Sequence, residues 1–164
     1  MATHPTHGRT LESSALGRLP SDSPPLDPAI EQRVRASFAS QGLMRHLGVQ
    51  MTEVSRGRVV LRLPFSDDVT QQMGYFHAGG TSAIADSAGG YAGLTLFPAD
   101  SEVLTVEFKI NLLAPGKGDY LEAIGNVVRS GRTLTICQIE VHGVTAGGRS
   151  QVALCQQTLI CVKG

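Results

Sequence analysis

The sequence has no tryptophan, and aromatic residues fill only 5% of its 164 positions. Its core must therefore be built from aliphatic and small side chains. No charge of either sign is in surplus, with 14 Lys and Arg against 14 Asp and Glu. That balance lacks the basic footprint of a nucleic-acid binder and the polyanionic tail of some interaction proteins. A long apolar run is also missing: residues 72–99, uncharged but for one Asp, are rich in Gly, Ala, Ser and Thr, too weakly apolar for a membrane span. The chain does not open with a basic segment followed by an apolar one, so no secretory signal is expected. Cys137, Cys155 and Cys161 form no CxxC pair and lie in apolar or alternating runs. They read as reduced thiols on strands, not as disulfides or zinc ligands. The expectation is a soluble cytoplasmic protein without a metal, a nucleic-acid partner or a membrane partner.

What is present divides simply. Residues 1–27, proline-rich with His4 and His7 and little apolar content, read as a disordered tail. Residues 28–164 then form one domain, long enough to bury a core. Asp27 and Pro28 suit the start of a helix that carries Ile30, Val34 and Phe38 to Gly42 or beyond, followed by a turn around Met44–His46. Strands are expected at 49–55 and 58–64, joined by a hairpin turn at Arg56–Gly57. Four further strands, 104–112, 119–129, 133–144 and 151–162, are punctuated by turns at Ser130–Gly131 and Ala146–Gly148 and read as an antiparallel meander. In the first of these the alternation Leu104, Val106, Phe108, Ile110, Leu112 is unbroken.

Between the two groups of strands, residues 79–94 carry only Ile84, Tyr91 and Leu94 as large side chains and have no charged face. Such a helix is a buried one. Gly89–Gly90 costs it about 1 kcal/mol per residue in propensity, which close packing has to offset. The fold class is thus α+β: an antiparallel sheet of about six strands wrapped around a long central helix, the hotdog architecture.

Asp86 is the only formal charge on that helix. A carboxylate there is expensive unless paired, hydrated or used; it either caps or bridges structurally, or serves as general base or nucleophile in a cleft. The turn His77-Ala78-Gly79-Gly80 forms the start of that helix, where unpaired N–H groups and a positive dipole end can stabilise an oxyanion. Thr105 falls on the polar face of its strand.

The run Gln71-Gln72-Met73-Gly74-Tyr75-Phe76-His77-Ala78-Gly79-Gly80, followed by Ile84-Ala85-Asp86-Ser87-Ala88, resembles the signature of the PaaI-type hotdog-fold acyl-CoA thioesterases. Residues 104–111, Ala114-Pro115 and Gly131-Arg132-Thr133-Leu134 fall where that family has similar strand and turn motifs, so the resemblance spans about residues 40–162. It implies that Asp86 activates water or attacks directly, that the amides at Ala78 and Gly79 polarise the thioester carbonyl after His77, and that Thr105 positions water. Where many members have Asn and His-Gly-Gly, this chain has Gln71 and His77-Ala78-Gly79. The resemblance further implies an acyl-CoA substrate with an aromatic or medium-chain acyl group and no separate cofactor. It implies coenzyme A phosphates near Arg129, Ser130, Gly131, Arg132 and Lys117, and a homodimer or a tetramer of two dimers. A non-catalytic acyl-CoA sensor and a hydratase or dehydratase on the same fold are the alternatives.

Overall fold

The computed structural model describes residues 25–163. Most of the expected tail, with His4 and His7, lies outside them. Asp27 caps α1 (Pro28–Ser40) by accepting the Ala29 N–H, with Pro28 at the first helical position. The helix stops two residues short of Gly42: Gln41 is extended and begins a separate short helix, α2 (Gly42–His46), where only a turn was expected. Strands β1 (Gln50–Ser55) and β2 (Arg58–Pro64) follow, joined where Gly57 takes a φ of 70°, a conformation suited to glycine. After a 3-10 turn at Asp67–Val69 comes α3 (Ala78–Leu94). Four strands complete the chain: β3 (Ser101–Leu112), β4 (Tyr120–Ser130), β5 (Leu134–Thr145) and β6 (Gly148–Lys163).

All six strands join one antiparallel sheet in the order β1-β2-β4-β5-β6-β3. The hotdog expectation holds, but the meander runs only through β4, β5 and β6. β2 pairs with β4 along the edge that β3 was expected to take, so β3 lies beyond β6 as an edge strand. The alternation along β3 is interrupted too. Val106 is an extra residue in the pairing with β6, and such a bulge changes which face the following side chains meet. Thr105 therefore turns to α3 before it, while Ile110 packs on the core after it.

The helix lies in the concave face of the sheet. Eleven of its seventeen residues are buried, among them Ile84, Ala85, Ala88, Tyr91 and Leu94, against Leu61, Leu63, Leu121, Ile139, Val141 and Leu159. Close approach explains the small residues: a side chain at Gly125 of β4 would collide with the Ala88 carbonyl. Gly93 likewise leaves room for Leu159. α1 closes the open side, where Phe38 meets Tyr91 edge-on with ring centroids 5.6 Å apart. Arg33 donates to the carbonyl oxygens of Leu94 and Pro98, a cation at the negative end of α3.

Candidate active site

Asp86 sits two turns into α3, half-buried, at the place where β3 and β6 pass beneath the helix. Its Oδ1 accepts two hydrogen bonds of 2.7 Å, from the Thr105 hydroxyl on β3 and from the Gln157 amide on β6. The same Gln157 nitrogen lies 3.0 Å from the Asp86 carbonyl oxygen and 3.0 Å from Thr105 Oγ. One carboxylate oxygen is thus fixed, and the other has no hydrogen-bond partner among the described residues. A cavity of about 380 Å³ opens beside it, lined by Ser37, Ser87, Gly90, Tyr91, Glu102 and Thr105 among others. Gly90 contributes space: a β-carbon there would meet no atom within 4 Å.

The start of α3 differs from expectation. His77 is the N-cap, and its Nδ1 accepts the Gly79 N–H at 2.8 Å. The ring therefore carries its proton on Nε2 and orders the turn. Gly79's amide is engaged by that cap, which leaves the Ala78 N–H as the one of the expected pair with no hydrogen-bond acceptor among the described residues. The helix begins one residue earlier than the sequence suggested because His77, not the glycine pair, caps it. Beside this end is a second cavity of about 550 Å³, walled by Met73, Tyr75, Phe76, Ala78, Leu112 and Pro115. Gln71 lies on its rim, but its side-chain oxygen is turned back to the Met73 N–H.

The residues considered for coenzyme A do not gather in one chain. Lys117 sits near the helix start, its ammonium 4.8 Å from the Tyr75 ring centroid. Arg129, Ser130, Gly131 and Arg132 lie at the other end of β4, about 30 Å away by strand rise. Arg129 and Arg132 are exposed, and the Ser130 hydroxyl is 3.3 Å from that of Thr135. Sequence reasoning missed Gln157 altogether. It stands between Gln156 and Thr158 with no motif around it, and only the β3–β6 register brings it to Asp86.

The buried thiols are not rival nucleophiles. Burial, with the Asp86 charge adding to it, pushes Cys155 up to about 11, and burial pushes Cys137 up to about 12. Burial also raises Tyr91, against the opposing pull of its contact with Ser37.

Residues 73–147 match the model of the Thioesterase superfamily. A thioesterase family protein from Silicibacter pomeroyi is 39% identical in sequence and superposes with a TM-score of 0.80, covering 82% of this chain and 99% of that one. This chain belongs to the thioesterase superfamily. Within the superfamily it is also similar to a 1,4-dihydroxy-2-naphthoyl-CoA hydrolase of Listeria monocytogenes, 24% identical over 104 residues, which are 63% of this chain and 85% of that one. The E. coli PaaI protein from the phenylacetic acid degradation operon shares the fold at 22% identity, with a TM-score of 0.74 over 85% of this chain and 97% of that one. Among the described residues of this thioesterase-superfamily chain, no three His, Cys, Asp or Glu side chains converge as a metal site. No described helix is long and apolar enough to cross a membrane.

Proposed function

We propose that this chain hydrolyses the thioester of an aromatic or medium-chain acyl-CoA to the free acid and CoA. The observation that carries the reading is the Asp86 carboxylate, held at one oxygen by Thr105 and Gln157 and free at the other beside a cavity. The free oxygen takes a proton from water, whose oxygen then attacks the thioester carbonyl carbon, or it attacks that carbon itself to form a mixed anhydride that water then cleaves, releasing the acid and restoring Asp86. Either way the carbonyl oxygen becomes anionic, and an N–H at the positive end of α3 is suited to stabilise it. The C–S bond breaks and the departing sulfur takes up the proton given by water, which in the direct attack comes from the water that cleaves the anhydride. The named activity of the L. monocytogenes relative, on a CoA thioester, supports the substrate class. Arg129 and Arg132 around Ser130 and Gly131, and Lys117, are the cations available for the CoA phosphates.

A second copy completes the site. Eight residues of helix put about 12 Å between the Ala78 amide and Asp86 within one chain. A carbonyl under attack needs its nucleophile and its oxyanion donor each within about 3 Å. β3 is an edge strand of twelve residues with Leu104, Val106, Phe108 and Leu112 exposed, a surface that invites another strand. Pairing it with its two-fold copy about a point between Phe108 and Lys109 brings Thr105 of one chain level with Leu112 of the other. Asp86 then faces the neighbour's helix start, with its Ala78 amide and Lys117. A homodimer is the minimal working unit, and two such dimers can form a tetramer.

The test is thiol release from short, medium and aromatic acyl-CoAs by the wild-type protein and by Asp86→Asn. Removing the base should lower the rate roughly 100- to 10,000-fold, with an unchanged circular dichroism spectrum. Wild-type protein that binds acyl-CoA without turning it over would make the chain a sensor, and an Asp86→Asn variant as fast as wild type would remove Asp86 from the mechanism.

A further inference from the structure

Gln157 is fully buried, and its Oε1 has no hydrogen-bond partner. An orphaned polar atom in the core is unfavourable, and a residue chosen for packing alone would be apolar. The other end of the amide shows what is obtained in exchange. Its Nε2 has two hydrogens and three acceptors within 3.0 Å: Asp86 Oδ1, the Asp86 carbonyl and Thr105 Oγ. Flipping the amide would set Oε1 against a carboxylate oxygen and a carbonyl oxygen, so its orientation is determined. Gly89 makes room for the unpaired oxygen, because a β-carbon there would overlap Gln157 Oε1.

We infer that Gln157 is a positioning residue: it clamps Asp86 Oδ1 together with Thr105, stops the carboxylate from rotating and directs the remaining oxygen at the reacting carbon. The role in catalysis rests on the thioesterase reading above; the clamp on Asp86 does not. The donors on this carboxylate are neutral. Glu102 of β3 and Tyr91 of α3 line its cavity, Cys155 of β6 and Cys137 of β5 lie under the same stretch of helix, and α1 and α2 contribute Ser37, Ser40 and Gln41. No Lys, Arg or His is among them. Among the described residues the orientation of this carboxylate is thus held by hydrogen bonds from Gln157 and Thr105, and losing one donor frees it to rotate.

Gln157→Met keeps the length and shape of the side chain and removes both donors and the orphaned oxygen. The expected result is a kcat/KM lowered on the order of 10- to 100-fold, mostly through kcat, by loss of carboxylate alignment. Tm should stay level or rise. A folded variant with the wild-type kcat overturns the inference. Should Gln157→Met fail to fold, Gln157→Glu takes its place, since it exchanges the N–H donors for an oxygen at the same position. Carbon-13 NMR of the Asp86 carboxyl group supplies a readout that needs no turnover. An unmoved Asp86 carboxyl resonance in the variant overturns the clamp. Wild-type protein inactive on every acyl-CoA, with the resonance still displaced in the variant, would defeat the thioesterase reading and leave the clamp standing.

Discussion

The two ends of the Asp86–Ala78 stretch of α3 differ in nearly every property that matters to a reacting acyl group. At the helix start, His77, Ala78 and Gly79 are exposed, the available group is a backbone N–H, and the adjoining cavity is walled by Met73, Tyr75, Phe76 and Leu112. Two turns on, the available group is a carboxylate, and the adjoining cavity carries the polar groups of Ser37, Ser40, Ser87, Tyr91 and Glu102. On the proposed reading, one helix holds both an electrophile-stabilising end and a proton-accepting middle. A helix dipole is useful only at its terminus, whereas a side chain can be placed at any turn. The geometry of a single helix therefore keeps the two apart, and an antiparallel copy is the simplest way to bring them to the same carbonyl.

The sharpest way to break that comparison is to disable each region in a different chain. Ala78→Pro deletes the free N–H at the first helical position, where proline is tolerated. His77 before it is already extended, with φ −66° and ψ 139°, as a residue preceding proline must be. Its kcat should fall roughly 100- to 1,000-fold, with little change in Tm. Asp86→Asn is disabled at the other region. Mixed by co-refolding, the two inactive chains should regain about a quarter of wild-type activity, because random pairing makes half the dimers mixed and each mixed dimer has one intact site. A mixture as inactive as its parents would mean that both groups act within one chain.

A smaller effect sharpens the contrast between the cavities. Gly90→Leu puts a side chain into the Asp86 cavity from a position where the β-carbon meets no atom within 4 Å, so kcat/KM for bulky acyl groups should drop about 10-fold while acetyl-CoA is little affected. An equal loss across the panel would place the acyl group elsewhere. Smallest of all is the effect expected from thiol alkylation. With Cys155 titrating at about 11 and Cys137 at about 12, both are raised and remain neutral thiols through pH 6–9. They contribute no inflection to the rate profile there, and iodoacetamide should leave activity within about 2-fold. Rapid inactivation with label on Cys155 would contradict this.

Much of the molecule could be read from residue order because its signals are local. The uncharged Gly/Ala helix, the Arg56–Gly57 turn and the strands around Ser130–Gly131 each declare themselves within a few residues. Asp86 stood out because nothing else on its helix is charged. The illegible parts depend on distant register. Gln157 lies 71 residues from Asp86, and no pattern in its strand marks it. The bulge at Val106 is silent in an alternation that looks perfect, so Leu104 and Val106 read as core but are exposed. The ring of His77 closing on the Gly79 amide is a choice of side-chain conformation that composition does not record.

The glycines of α3 have a bearing on assembly as well as on packing. Gly79, Gly80, Gly89, Gly90 and Gly93 lie among its seventeen residues, each weakening the isolated helix by about 1 kcal/mol. A segment so poor in helix propensity has no amphipathic stripe to rescue it and gains its order from the sheet that surrounds it. The strands that supply this support are themselves paired across long sequence separations, as β2 is with β4 and β3 with β6. The helix is therefore not a preformed rod onto which a sheet condenses. Its terminal amide, its carboxylate and the clamp beneath it are therefore set in place by the sheet that surrounds the helix, not by the helix alone.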